Sequence, residues 1–541
     1  MVEHSSIPVA NGSLAGGDVP AESVDVLVLG SGPCGLGAAT RLNQLKHNDW
    51  LLVADCAEAG GLAMTDVTPE GFLFDMGGHV IFSHWNYFDQ LLDTAVGTGP
   101  KNWNTHQRVS YVWLKNRWIP YPMQNNLYML DNADKIECIN GVLDAQKVTA
   151  APKNFDEWIL KVMGDGLAML FMRPYNFKVW AYPTTEMSCN WLGERVATVD
   201  AKKVIANVIK NEADAGWGPN ALFRFPTEGG TGGIWKKVGA LLPPENQRYR
   251  HRITKIDTAQ KLAHWSKLAD DGVTQTGEQG VIRYNRILST LPLDETAKWA
   301  GLSYPEGKRL HYSATHVVGI GLRGISPHEL KCWLYFPEDD CPFYRCTVFS
   351  FYAKANCPDE SVKLRTLQLC DGTQYSEAEK SPEAGPYWSL MFEVSESAKH
   401  KPVDVTKIVA ETIQGAINTQ LVQPKDEIVS IYHRRLAKGY PTPHVDRDEC
   451  IAKLLPELKE KSIWSRGRFG AWKYELGNQD HTCMQGVEAV DNMLFGVKEF
   501  TLEYPDKANA KKNTELEYSN TPIEVVKKKS GSFSPTRRSA A

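Results

Sequence analysis

The chain has 541 residues, 42% of them hydrophobic, with a formal net charge of −4. That length exceeds one ordinary domain, so two or three domains, or one with large insertions, are expected. The charge balance argues against nucleic acid or an anionic membrane surface as partner.

Eleven cysteines, none in a C-x-x-C pair, read as reduced cytosolic thiols. The histidines do not stand at zinc spacing, so no metal site is expected. Sixteen Trp and twenty Tyr suit either a large core or a pocket that stacks flat rings.

Residues 1–23 are small and polar and are predicted to be disordered. They lack the basic start and apolar core of a signal peptide. No apolar run approaches the ~18 residues of a membrane span, so a cytoplasmic protein without membrane insertion is expected.

The ordered chain opens with VDVLVLG, an apolar run suited to a buried parallel strand. A glycine turn, the helical pattern AATRLNQLK and a second strand, WLLVAD, complete a βαβ unit. The apolar YNRILSTLP (284–292) reads as a returning strand, and MQGVEAVDNMLFG (484–496) as a closing helix. A discontinuous nucleotide domain is therefore predicted over 24–100, 225–305 and 455–505. Helical periodicity in FDEWILKVMGDGLAMLFMRPYNFKVW assigns 101–224 to a mainly helical domain. Alternating aromatic and β-branched residues in KCWLYFPEDDCPFYRCTVFSFY assign 306–454 to a β-sheet domain. The basic, Ser-rich tail, 520–541, is predicted to be disordered.

Gly30-Ser31-Gly32-Pro33-Cys34-Gly35 matches G-x-G-x-x-G between the first strand and its helix, with Asp55 twenty residues after Gly35. In that context Gly30 permits the turn and Gly32 lets backbone approach a pyrophosphate. Gly35 lets helix and strand pack closely, and the helix N-terminus faces the anion. Asp55 accepts hydrogen bonds from ribose hydroxyls, which favours FAD or NAD over NADP. The pair Gly60-Gly61 with Leu62, shortly after, follows the pattern of the large flavin oxidase family and favours FAD.

FLFDM followed by Gly77-Gly78-His79 resembles the D-x-G-G-H segment of UDP-galactopyranose mutases. The resemblance spans about 24–505, through YNFKVWAYPTTEMSCNWLGERV, FRFPTEGGTGGIW, CWLYFPEDDCPFYR, HRRLAKGYPTP and WSRGRFGAWKYELGNQDHT, and is strongest to the fungal branch. It implies an α/β fold: a Rossmann-like, glutathione-reductase-like FAD-binding domain, a helical domain and an antiparallel β-sheet substrate domain. It implies interconversion of UDP-galactopyranose and UDP-galactofuranose without net redox. In that chemistry N5 of the reduced flavin attacks the anomeric carbon and expels UDP, and the sugar ring opens and recloses through an iminium. It further implies NADPH as reductant, a role in cell-surface glycan synthesis and a homo-oligomer, a tetramer in fungal relatives.

The resemblance also assigns residues. His79, Arg195 and Arg345 are the expected catalytic groups, the arginines holding the diphosphate by bidentate geometry. Tyr335, Tyr440 and Tyr474 correspond to diphosphate contacts, and Trp333 and Asn220 to the sugar pocket. Phe82 packs against flavin or sugar. Tyr121 and Gln124 correspond to the uracil site, and Phe171, Asn176 and Trp180 to further base and sugar positions. Met123 stands where relatives carry an aromatic residue, which weakens stacking there. Arg108, Ser110 and Arg468 correspond to NADPH contacts. Gly30, Gly32, Pro33, Cys34, Gly35, Asp55, Gly61, Leu62, Gly77, Gly78, His79, Gly477, Asn478, Gln479 and Thr482 form the expected FAD site, and Asn478 also reaches the substrate. Loops around Arg195 and over Gly216–Asn220 are expected to close over UDP.

Two rivals share this architecture. A flavin amine oxidase-like oxidoreductase has no use for the arginine pair or the uracil motif. Rab GDP-dissociation inhibitors keep the architecture without using flavin.

Overall fold

The computed structural model describes residues 22–214, 221–328, 330–376 and 380–518. The first strand, β1 (Glu22–Leu29), has Val26 to Leu29 completely buried, as its unbroken apolar run requires of a central strand. It lies parallel between β2 (Trp50–Val53) and the long strand Gln275–Ser289. Ile463–Ser465 and Gln247–Arg248 extend this parallel layer on either side. The first half of Gln275–Ser289 pairs antiparallel with Leu262–Leu268, which pairs with His251–Asp257. This Rossmann-like sheet, seven-stranded among the described residues, draws on the start, middle and end of the chain.

Helix α1 (Pro33–Gln44) follows β1, and the helix Gln479–Phe495 packs across it. Glycines make that crossing close. A Cβ on Gly37 would stand 2.4 Å from the Cys483 carbonyl oxygen, and one on Gly486 would stand 2.0 Å from that of Cys34.

Among the described residues the second sheet has eight strands. Its centre is His311–Arg323, flanked by Glu427–Thr442 and Tyr387–Glu396. Arg345–Thr347, Trp333–Tyr335, Tyr111–Leu114 and Arg117–Pro120 continue it to one edge. The register sets Tyr335 opposite Arg345, and Arg345 opposite Glu393. Side chains alternate between faces, so Trp333, Tyr335, Arg345 and Glu393 share one face.

Helices fill the segment between the sheets: Asn132–Ala145, Phe155–Leu167, Arg173–Trp180 and Ala201–Lys210. Asn154 caps the second by accepting from the Glu157 N–H at 2.9 Å. A π-helical turn, Ala168–Met172, joins the second to the third.

Three expectations are corrected. Residues 103–120, assigned to the helical part, form strands: Trp103–Gln107 pairs with Leu222–Pro226, and the hairpin Tyr111–Pro120 joins the β-sheet domain. Lys115 and Asn116 make its turn with φ of 51° and 59°, the mirror-image geometry that matches strand twist. Within 331–352 only Trp333–Tyr335 and Arg345–Thr347 are strands, and Phe349–Tyr352 is a helical turn. The ends predicted to be disordered lie outside the described residues, except Glu22 and Ser23, which open β1.

None of the eleven cysteines is in a disulfide. Among the described residues no helix is long and apolar enough to cross a membrane.

Candidate active site

A cavity of about 2000 Å³ is lined by both sheets and by the helical segment. At one end lies the glycine turn after β1. Gly30 has φ +97°, which an L side chain rarely adopts. A Cβ on Gly35 would sit 1.9 Å from the Gly30 carbonyl oxygen, so the helix starts hard against the turn. A Cβ on Gly61 would stand 2.9 Å from the Gly32 Cα, whereas one on Gly32 meets nothing nearer than 3.8 Å. The two glycine turns therefore press together behind a cradle that stays open in front. Pro33 occupies the first turn of α1, where its missing N–H costs no helix bond. Asp55 follows β2 at the cavity wall, its side chain 55% exposed and 3.4 Å from the Arg252 Nε.

Gly77, Gly78 and His79 also line the cavity, as does the N-terminus of Gln479–Phe495. Gly477, Asn478, Gln479 and Thr482 line it there. The Thr482 hydroxyl donates to the Asn478 carbonyl at 2.9 Å, and the Gln479 side chain accepts from Trp235 Nε1 at 2.6 Å. Among the described residues, buried polar atoms lacking a protein partner include His79 Nδ1, Trp333 Nε1 and Asn478 Nδ2. An open glycine cradle, a ribose acceptor, a helix N-terminus and these unpartnered polar atoms fit FAD.

Burial pushes the His79 pKa down to about 4, aided by Arg468 and Arg345 and opposed by Glu393. The imidazole is therefore neutral near pH 7. The sign follows: the unfolded chain binds a proton near pH 6.5 that the folded protein refuses until about pH 4. The His79 contribution to stability is thus fully present above pH 6.5 and lost as pH falls through about 4. We expect its imidazole NMR signals to stay constant from pH 8 down to 5. A midpoint near 6.5 would contradict the burial argument.

Beside these residues the cavity gathers cations on aromatic rings. Arg195 donates to Asn478 Oδ1 at 2.7 Å and to the Glu475 carbonyl at 2.9 Å, with its guanidinium 5.6 Å from the Tyr474 ring. Arg468 lies 4.8 Å from the Tyr440 ring, and Arg108 lies 5.1 Å from that of Tyr121. Arg345 makes a two-pronged pair with Glu393, both bonds 2.8 Å. Planar guanidinium groups stack on aromatic faces while keeping edges for anion oxygens. Burial raises the pKa values of Tyr121, Tyr175, Tyr335 and Tyr440, so these hydroxyls remain protonated donors.

Tyr121 and Tyr335 pack at 5.1 Å, and Phe171, on the π-helical turn, stacks on Tyr175 at 5.2 Å. The Gln124 side chain donates to the Ala197 carbonyl at 2.9 Å, and its buried Oε1 has no partner among the described residues. The Asn176 amide donates back to the Met172 carbonyl at 2.7 Å. Trp180 sets its edge on Tyr474 at 4.8 Å. Phe82 and Trp333 complete this wall.

The fold thus brings the expected site residues to one cavity, with four qualifications. Gly35 acts behind the wall, through packing. Ser110 does not line the cavity; it is buried, and its carbonyl accepts from the Tyr121 N–H at 3.0 Å. Met123 lies wholly in the hydrophobic core and so replaces no stacking ring in the cavity. Asn220, with the loop Gly216–Asn220, lies outside the described residues.

The second histidine of GGHVIFSHW has another task. His84 pairs with Asp480 at 2.9 Å and stacks on His481 at 4.8 Å, tying the loop after His79 to the closing helix. The sequence reading missed Tyr175, Tyr344 and Glu393. A signal existed for Glu393, an internal acid in the buried strand YWSLMFEVSE, where a charge must be paired.

The NAD(P)-binding Rossmann-like domain family matches residues 28–94. A crystal structure of reduced UDP-galactopyranose mutase is 40% identical, covering 92% of this chain and 99% of its own, with a TM-score of 0.80. A putative protoporphyrinogen oxidase from Exiguobacterium sp. 255-15 is 13% identical over 87% of this chain and 98% of its own, TM-score 0.58. A putrescine oxidase variant is 13% identical over 88% and 100%, TM-score 0.53. The last two share the fold alone.

Fold and cavity together define a flavoprotein with a Rossmann-like FAD domain and a separate antiparallel sheet. Identity of 40% along nearly the whole chain narrows this class. The chain belongs to the UDP-galactopyranose mutase family and is a flavin-dependent isomerase.

Proposed function

We propose that the cavity binds UDP-galactopyranose and UDP-galactofuranose and interconverts them without net redox. The observation that carries this reading is the set of guanidinium groups, Arg108, Arg195, Arg345 and Arg468, facing tyrosines beside the FAD cradle. An amine-oxidising site has no use for that much fixed positive charge.

Reduced FAD, when bound, supplies the nucleophile for the anomeric carbon. The chain's task is to bind, orient and stabilise charge. Arg195 and Arg345 take the negative charge that grows on the UDP diphosphate as the glycosidic bond breaks. Tyr335, Tyr440 and Tyr474 donate to the same oxygens. Tyr121, Phe171 and the unpartnered Gln124 Oε1 hold the uracil. Neutral His79 keeps its loop at the flavin without adding charge.

We also propose NADPH as reductant, with Arg108 and Arg468 as its phosphate contacts and Ser110 holding Tyr121 from behind. The fungal type, a tetramer and a role in cell-surface glycan synthesis are proposed on the sequence resemblance. Exposed Ile136, Met169 and Ile209 in the helical segment suit contacts between subunits.

The test is anaerobic incubation with UDP-galactofuranose, with and without NADPH, followed by separation of the sugar nucleotides. UDP-galactopyranose forms only with reductant, and far more of it forms than NADPH is consumed. NADPH consumption without isomer would overturn the reading.

Arg195 bonds to neutral oxygens, so its removal strands no buried charge. Arg195→Ala is expected to raise KM by about 10- to 100-fold with a smaller change in kcat, seen in steady-state kinetics.

A further inference from the structure

We propose that Glu393 is a positioning residue: the internal counter-ion of Arg345, which an incoming diphosphate must displace or outweigh, bonded at the same time to the Gly77–His79 loop. The proposal rests on the reading of Arg345 as a diphosphate contact.

Glu393 is 2% exposed. Its Oε1 accepts from Arg345 Nε at 2.8 Å and from the Gly78 N–H at 2.9 Å. Its Oε2 accepts from Arg345 Nη2 at 2.8 Å and from the Tyr344 hydroxyl at 2.7 Å. The strand register places Arg345 directly opposite, so the pair forms wherever the sheet forms. One carboxylate therefore fixes the guanidinium, a neighbouring phenol and the backbone beside His79.

Two opposed consequences follow. The geometry preorganises Arg345, which favours catalysis. The charge opposes a second anion on the same guanidinium, because like charges in a buried site are poorly screened. Glu393 thus weakens ground-state binding of the diphosphate while holding in place the parts that act as UDP departs. A residue that only supports the fold does not weaken ground-state binding of the diphosphate.

The experiment uses FAD-loaded enzyme and UDP as probe. Glu393→Gln keeps the shape and removes the charge. UDP is expected to bind at least about fivefold tighter, and kcat to fall at least about tenfold through lost preorganisation. Unchanged or weaker UDP binding overturns the proposal, as does unchanged kcat.

Arg345→Gln separates the two readings. If it leaves UDP affinity unchanged, the diphosphate assignment of Arg345 fails. If it weakens UDP binding and Glu393→Gln does not tighten it, only the counter-ion proposal fails. Should Glu393→Gln alone not retain flavin, Arg345→Gln is compared with Arg345→Gln/Glu393→Gln, where no cation of this pair is left unpaired. Tighter UDP binding in the double variant supports the proposal, and equal or weaker binding overturns it.

Discussion

Arg345→Ala is expected to lower kcat/KM by about 100- to 1000-fold, the range for removing a donor aimed at developing negative charge. The same substitution is expected to lower stability, and the structure says why. Arg345 neutralises Glu393, which is 2% exposed and bonded to Gly78 and Tyr344. Removing one member of a buried ion pair strands the other, at a cost of roughly 3–5 kcal/mol in a dry interior. Arg345 keeps 20% of its side chain exposed at the cavity wall, so the lower figure applies. Arg345→Lys separates the two losses. An ammonium restores the charge Glu393 needs but not the planar fork, so melting temperature recovers further than turnover. Steady-state kinetics and thermal melts on the three proteins check this. Wild-type turnover in Arg345→Ala would remove the case for its catalytic role.

Legibility from sequence followed the range of the forces involved. The turn at 30–35 was readable because its demands are local: a positive φ at Gly30, and no room for a Cβ at Gly35. The βαβ unit and the closing helix carry their own periodicity. The hairpin at 111–120 does not; its partner strand, Trp333–Tyr335, lies more than 200 residues away, and the short run YVWL fits a buried helix turn equally well. Met123 and Ser110 show the same limit inside the site. Met123, next to the wall residue Gln124, lies in the core, and Ser110, two residues after the wall residue Arg108, is buried off the cavity; composition cannot tell which of such nearby side chains faces it. Glu393 was half legible. A buried acid announces a partner, but only the sheet register names it as Arg345.

Gly486→Ala tests how the two helices share the cofactor site. By intrinsic propensity the change should stabilise an exposed helix interior by roughly 1 kcal/mol. Here the new Cβ would stand 2.0 Å from the Cys34 carbonyl oxygen and 2.9 Å from the Ala38 nitrogen, both backbone atoms that no rotamer change can move aside. Relief requires α1 and Gln479–Phe495 to separate. The N-terminus of α1 carries Gly32, Pro33 and Cys34, and that of the other helix carries Asn478, Gln479 and Thr482. Separation therefore widens the cradle at both ends together. Overpacking of this severity costs more than about 4 kcal/mol, so the variant is expected to purify with under about a tenth of the wild-type flavin, or not to fold. Gly233→Ala, in the helix Gly230–Ala240, is the control, because its Cβ would meet only the Glu228 carbonyl oxygen at 3.3 Å. It should keep its flavin and melt close to wild type. Flavin absorbance per protein and a thermal melt decide the matter: a Gly486→Ala protein that melts near wild type with full flavin would mean that the helix crossing does not hold the FAD cradle together.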